Sequence, residues 1–316
     1  MPDILFIKTS SLGDVIHHMP AVSDARRNRP QTRIGWVVEE AFAPLVRLHR
    51  AVDSVVPVAS RRWRGAPLSP ATWREFMAFR SAMRAQPHET VIDAQGLLRS
   101  ALIARFARGR RHGYDRDSVR ERAASWLYDT HHRVDRALHA ITRNRMLTGQ
   151  VLGYAPDGLP DFGLDRAGLM SGAPAREVVL LHATARPEKE WPVARWIGLA
   201  QALAADGYVP VLPWGNEAER RRSAEIAAAV PNAKVPDLQP LDQAARMIAR
   251  AAFVVGVDTG LLHLAAALGV PLVAIFIGTE PGQHGPLGSG KIDIVGALGE
   301  MPSVSDVRAA VERIAP

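Results

Sequence analysis

Four polar turns, each set directly after a short apolar run, hold most of the residues in this chain that could do chemistry. The densest is Asp258-Thr259-Gly260-Leu261-Leu262-His263, which follows FVVGV. A carboxylate ends a strand there, Thr-Gly opens a helix, and His263 falls on its first turn. Such a helix start presents free N–H donors and a positive dipole end, which suits a diphosphate. A core histidine satisfied by a neighbour is the other reading of His263. After VVLLH (178–182) comes a loop with Thr184, Ala185 and Lys189, closed by Pro192 at the start of a helix. Lys189 is one of only four lysines, and a compact ammonium beyond a strand end fits a phosphate as well as it fits solvent. KTSSLGD (8–14) follows the first apolar run and offers Lys8, Ser11, Gly13 and Asp14. Asp14 at a helix start is suited both to capping that helix and to taking a proton. Finally, PWG (213–215) precedes Glu217 and Glu219, whose carboxylates could accept ribose hydroxyls or lie in solvent. None of these turns is GxGxxG or GxxxxGK[ST], so the nicotinamide-cofactor and P-loop readings lose their support.

Such turns need a scaffold that presents strand ends together. Apolar runs at 4–8, 34–38, 54–58 and 90–94 alternate with helical patterns at 15–27, 73–85 and 97–108. Runs at 178–182, 208–213, 253–258 and 272–276 alternate with helical patterns at 193–205, 217–230 and 241–250. Buried runs separated by helices predict βαβ units and parallel sheets, an α/β fold with two doubly wound halves. The Pro- and Gly-rich stretch 154–174 is the linker candidate, and ligands of such folds bind at the carboxyl ends of the strands. The spacing predicts domains at 1–158 and 159–316, and leaves open which half the helix 304–314 packs on. The apolar stretch 261–278 is long enough to span a bilayer, but Gly269-Val270-Pro271 divides it into a short helix and a buried strand.

With 316 residues, 47% of them hydrophobic, the chain can bury two cores. It has no cysteine, which excludes disulfides, thiolate-bound zinc and a thiol nucleophile. The first residues, MPDILFIKTSSLGD, have too short an apolar run for a signal peptide, so a cytoplasmic protein is expected. The net charge is +7, and between Arg99 and Arg145 twelve arginines face five acids. That excess fits a solvated helical face, or an anionic partner: nucleic acid, an anionic lipid surface or an acidic sugar. An RNA-binding α/β protein and a two-domain small-ligand receptor are the rival classes. The first leaves the Asp258–His263 turn unexplained, and the second lacks the expected export signal.

KTSSLGDVIHHMPA (8–21), VVEEAFA (37–43), RRWR (61–64), DAQGLLRSA (93–101), HATARPEKEWP (182–192), PWG (213–215) and VDTGLLHLAAALGVP (257–271) follow in order over nearly the whole chain. Together they resemble the lipopolysaccharide heptosyltransferase I family. The resemblance implies the GT-B fold, in which two Rossmann-like domains face each other across a cleft. An N-terminal domain would bind the acceptor and a C-terminal one the nucleotide-sugar. It implies inverting transfer of L-glycero-D-manno-heptose from ADP-heptose to the Kdo of Kdo-lipid A, with no metal and no cofactor. Asp14 matches the family's general base. Thr184, Ala185, Lys189, Glu219, Asp258, Thr259, Gly260 and His263 match its donor-binding positions, although Ala185 stands where the family often has Thr. Lys8, Ser11, Gly13, Arg61, Arg64 and Arg120 match the acceptor side, where the Kdo carboxylate and lipid A phosphates would meet the arginines. The resemblance further implies a monomer on the anionic cytoplasmic face of the inner membrane, without a nucleic-acid partner. A heptosyltransferase II-type enzyme, which adds the second heptose, is the nearest alternative.

Overall fold

The computed structural model of the chain describes residues 3–170, 176–184, 186–278, 280 and 282–315. They divide into two compact units, one ending at Gly163 and the other beginning at Leu164. Ala185, among the donor positions expected from the sequence, lies outside the described residues.

The first unit carries β1 (Asp3–Ile7), β2 (Arg33–Glu39), β3 (Ser54–Val58), β4 (Pro87–Asp93), β5 (Arg108–Tyr114) and β6 (Thr130–His132). They form one parallel sheet in the order β3-β2-β1-β4-β5-β6. Chain order reverses between β1 and β4, so the loops leaving those two strands diverge and open a crevice at their carboxyl ends. Leu5, Ile7, Val37, Val91 and Ile103 fill the core with Phe79 and Met83 of the helix Pro70–Ala85. The helix Leu12–Asn28 is buried along residues 15–25 because the helix Ala140–Leu152 covers its outer side. The two are joined by Asn144 Nδ2, which donates to the His17 carbonyl at 3.1 Å, and by the buried ion pair of Arg145 with Asp24 at 2.6 Å.

The second unit carries β7 (Glu177–Leu181), β8 (Val209–Val211), β9 (Phe253–Val257), β10 (Leu272–Ile275) and β11 (Ile292–Val295). These are parallel in the order β11-β10-β9-β7-β8. Numbered within the unit, that is 2-1-3-4-5 read backwards, the other common doubly wound order, with its reversal between β7 and β9. Trp191 and Trp196 meet edge to face at 5.0 Å in a core completed by Val307, Ala310, Val311 and Ile314 of the helix Val304–Ile314. This last helix, which the sequence could assign to neither half, therefore packs on the second unit.

Both sheets agree with the α/β expectation, and the stretch 261–278 is the helix Gly260–Ala267 followed by β10. Among the described residues no helix is long and apolar enough to cross a membrane. The arginine-rich stretch differs from a continuous helical face. The helix there ends at Ala104, and Arg108–Tyr114 runs as β5 beside β4. Its side chains emerge from the sheet in alternation rather than along one helical stripe.

Candidate active site

In the first unit the crevice between β1 and β4 is built by two loops. The one leaving β1 holds Lys8, Thr9, Ser10 and Ser11 before the helix Leu12–Asn28. The one leaving β4 holds Ala94, Gln95 and Gly96. Ser11 is the N-cap, and its amide and hydroxyl both donate to Asp14 Oδ2, at 2.9 and 3.2 Å. Among the described residues nothing bonds Oδ1, so one oxygen of this half-exposed carboxylate caps the helix and the other is open. The two uses weighed for Asp14 are thus compatible within one side chain. Gly13 lies beside it in the first helical turn.

A buried polar frame holds that turn. Gln95 Oε1 accepts the amides of both Thr9 and Ser10 at 3.1 Å. Asp93 is fully buried; its Oδ1 accepts from the amides of Gln95 and Gly96, and its Oδ2 from Ser100 and Tyr128. Burial still pushes the Asp93 carboxyl above its ordinary range. Tyr128 reaches it only because residue 113 is glycine: a Cβ there would stand 2.3 Å from the Tyr128 ring. Neither Asp93 nor Gln95 stands out by spacing in the sequence, where they appear only inside DAQGLLRSA.

Lys8 is also buried, and its ammonium donates to the Ala94 carbonyl at 2.9 Å, bridging the two loops. Burial lowers its pKa, Asp14 and Asp93 oppose that, and Arg143 and Arg120 add to it. Lys8 therefore sits beneath the crevice rather than on its surface. Arg120 is exposed, and its side chain makes no hydrogen bond or ion pair among the described residues. Arg61 and Arg64 stand exposed on the helix Ser60–Gly65, Arg61 over the Phe42 ring at 5.3 Å and Arg64 on the Ser60 carbonyl at 3.3 Å. Their neighbour Arg62 is instead held by Glu40 and Glu75.

In the second unit the side chains converge on Asp258, at the carboxyl end of β9. Lys189 Nζ lies 2.5 Å from Asp258 Oδ2, His263 Nε2 lies 3.8 Å from Oδ1, and Thr184 Oγ1 donates to the Asp258 carbonyl at 3.0 Å. Thr259 is the N-cap of the helix Gly260–Ala267, so Asp258 stands directly before a helix start with free backbone N–H groups. The adjacency of β7 and β9 puts Thr184 and Lys189, from one loop, against Asp258 from the other. The loop leaving β10 also packs closely on the β7 loop, at Gly278, where a Cβ would stand 2.7 Å from the Glu188 carbonyl oxygen.

Glu219 lies beyond β8, the strand next to β7, on the same edge of the sheet. It accepts from the Gly215 amide and from Asn216 Nδ2, both at 2.7 Å, so it shapes the turn after PWG while staying only partly buried. Behind this edge His182 is buried against Ser223 at 2.8 Å, and burial lowers its pKa to about 4. It is neutral at physiological pH and belongs to the core. Among the described residues no three His, Asp or Glu side chains are grouped to hold a metal ion. The first unit offers a carboxylate with one open oxygen, and the second a helix start with a lysine beside it, suited to an anion.

Comparison with known proteins agrees with this geometry. Residues 76–311 match the model of glycosyltransferase family 9 (heptosyltransferase). The chain is similar to lipopolysaccharide heptosyltransferase 1 of Escherichia coli strain K12, with 41% identity over 294 residues, covering 92% of each chain. It is also similar to the solved structure of E. coli heptosyltransferase WaaC with ADP, with a TM-score of 0.93 and 38% identity over 99% of this chain and 100% of that one. The same holds for the E. coli WaaC structure with ADP-2-deoxy-2-fluoro heptose, at a TM-score of 0.90, 38% identity and the same coverage.

Proposed function

This chain belongs to glycosyltransferase family 9, the heptosyltransferases, and from that membership we propose that it moves L-glycero-D-manno-heptose from ADP-heptose to the Kdo of Kdo-lipid A. The observation that carries the reading is the convergence of Lys189, Thr184 and His263 on Asp258 at the start of an apolar helix. That arrangement is fitted to a sugar diphosphate, and an E. coli relative of the same fold was solved with ADP-2-deoxy-2-fluoro heptose.

The first unit binds the acceptor and the second the donor. Asp14 Oδ1 takes the proton of the acceptor hydroxyl as its oxygen forms a bond to the anomeric carbon. The bond from that carbon to the diphosphate oxygen breaks, and the sugar inverts. Negative charge grows on the departing ADP, where the amides of the helix Gly260–Ala267 and the Lys189 ammonium stabilise it. These groups supply the positive charge, so the transfer needs no metal. Glu219, Thr259, Gly260 and Ala185 complete the donor site. Arg61, Arg64 and Arg120 meet the Kdo carboxylate and lipid A phosphates, while Ser11 and Gly13 shape the turn and Lys8 supports it from beneath. The enzyme acts as a monomer at the cytoplasmic face of the inner membrane.

The test is to incubate the protein with ADP-heptose and either Kdo-lipid A or a core that already carries one heptose. Elongation of Kdo-lipid A alone supports the reading. Elongation of only the heptosylated core makes this a second-heptose enzyme.

A further inference from the structure

The helix Pro70–Ala85 turns Phe79 and Met83 into the core and leaves an unusual opposite side. Trp73 and Met77, one turn apart and so on one face, are 57% and 49% exposed. Leu68, just before the helix, is 91% exposed. Trp73 is firmly mounted: its ring meets Phe76 edge-on at 6.0 Å, and Phe76 in turn meets Trp63 at 5.9 Å and Phe106 at 5.6 Å. The sequence here is strongly basic. Residues 61–85 contain six arginines and a single acid. That acid, Glu75, is already held by Arg62 and by Trp63 Nε1. Arg74 and Arg84 stand exposed on the same helix.

We propose that Leu68, Trp73 and Met77, with the exposed Arg74 and Arg84 of the same helix, form a docking surface for an anionic lipid bilayer. The pattern is that of an interfacial helix: an indole and two aliphatic side chains to enter the headgroup boundary, arginines to meet anionic headgroups, and no free acid to repel them. A soluble protein partner would not require the one-sided charge, and a nucleic acid would not require an exposed leucine and methionine. The proposal rests on the reading above only in that the acceptor there is itself a membrane lipid.

The experiment compares the parent chain with Trp73→Ala/Met77→Ala, two exposed positions outside the proposed catalytic and binding residues. Binding is measured by flotation with phosphatidylglycerol–phosphatidylethanolamine vesicles and with phosphatidylcholine vesicles. The parent should float with the anionic vesicles and little with the neutral ones. The double variant, with an unchanged circular dichroism spectrum, should bind the anionic vesicles about tenfold or more weakly. Equal binding by parent and variant overturns the proposal, as does a parent that ignores anionic vesicles. A parent that is dimeric by light scattering, with a monomeric double variant, also overturns it by making the face a contact between copies. Turnover of a deacylated, water-soluble acceptor is read in parallel. If it fails while flotation succeeds, the proposed reaction is wrong and the docking surface stands. If flotation fails while turnover persists, the reverse holds.

Discussion

Lys189 and Asp258 are joined at 2.5 Å across the ends of β7 and β9, so the carboxylate of one loop holds the ammonium of the other, two residues before the helix Gly260–Ala267 begins. The lysine is thereby positioned before an anion arrives, which lowers the ordering cost of binding one. Replacing Lys189 by alanine should weaken ADP binding by roughly tenfold to a hundredfold, the usual range for a hydrogen bond to a charged group. Isothermal calorimetry with ADP checks this, and an unchanged affinity would remove Lys189 from the donor site.

Asp14→Asn separates the two oxygens of that side chain. Asparagine can still accept from the Ser11 amide through its carbonyl oxygen, so the cap survives in large part. The melting temperature and the affinity for ADP-heptose should stay near those of the parent. The turnover number should fall by at least about a hundredfold, the loss expected when a general base is removed. Turnover within a few-fold of the parent would place the base elsewhere.

Arg64→Ala and Arg120→Ala should each raise the KM for the acceptor more than the KM for ADP-heptose. Both side chains are exposed, and neither holds an ion pair among the described residues, so folding has little stake in them. Steady-state kinetics with each substrate varied in turn decides the point. Equal effects on both KM values would mean that the arginines do not select the acceptor.

Gln95 supports the Asp14 turn without being part of the reacting set. Gln95→Leu removes the oxygen that accepts two buried amides, which should cost about 1–3 kcal/mol of stability. The turnover number should drop while the KM for ADP-heptose holds. Gln95→Glu, which keeps an acceptor in place, should restore most of the stability in thermal melts. A Gln95→Leu variant with full turnover would show that the turn holds itself.

Two buried histidines set a pH dependence of stability. Burial lowers the pKa of His49 in the first unit and of His182 in the second to about 4, against an ordinary value of 6.5. The unfolded chain therefore binds protons at these sites before the folded one does. The contribution of these two rings is fully present above pH 6.5 and is lost as the pH falls from there to about 4. Denaturant titration at pH 7.5 and pH 4.5 should show a lower midpoint for both units at the acid value. Identical midpoints would mean that neither ring is held neutral.

Much of this was legible in the sequence because the turns that matter follow apolar strands and precede periodic helices. KTSSLGD and DTGLLH advertise themselves by placing polar residues and glycine at those junctions. β5 was not legible, because RGRRHGY has no apolar run: its place in the sheet comes from backbone pairing with β4 and β6. β6, only three residues long at the edge of the sheet, and β11, IDIV beside β10, were missed as well. Asp93, Gln95 and Tyr128 escaped for another reason. Their importance lies in buried hydrogen bonds between residues up to 86 apart, and no local spacing encodes such a frame.

The Arg145–Asp24 pair bears on how this chain can change over generations. Read along the sequence, Arg145 is one more member of a basic stretch. In the fold its guanidinium meets Asp24, the two side chains being 10% and 3% exposed, and it donates to the carbonyls of Asp157 and Gly158. Changing Asp24 alone strands the buried guanidinium, at a cost of about 3–5 kcal/mol, and changing Arg145 alone leaves Asp24 with only the more exposed Arg27 at 3.0 Å, whereas replacing both by apolar groups can be neutral. The two codons are therefore coupled by a fitness valley, and a lineage reaches the apolar pair only by crossing it. Exposed arginines such as Arg116 and Arg136 face no such barrier and can drift singly. A library randomised at positions 24 and 145 together should return rare functional pairs of complementary charge or of matched apolar volume, separated by a nearly empty set of single replacements.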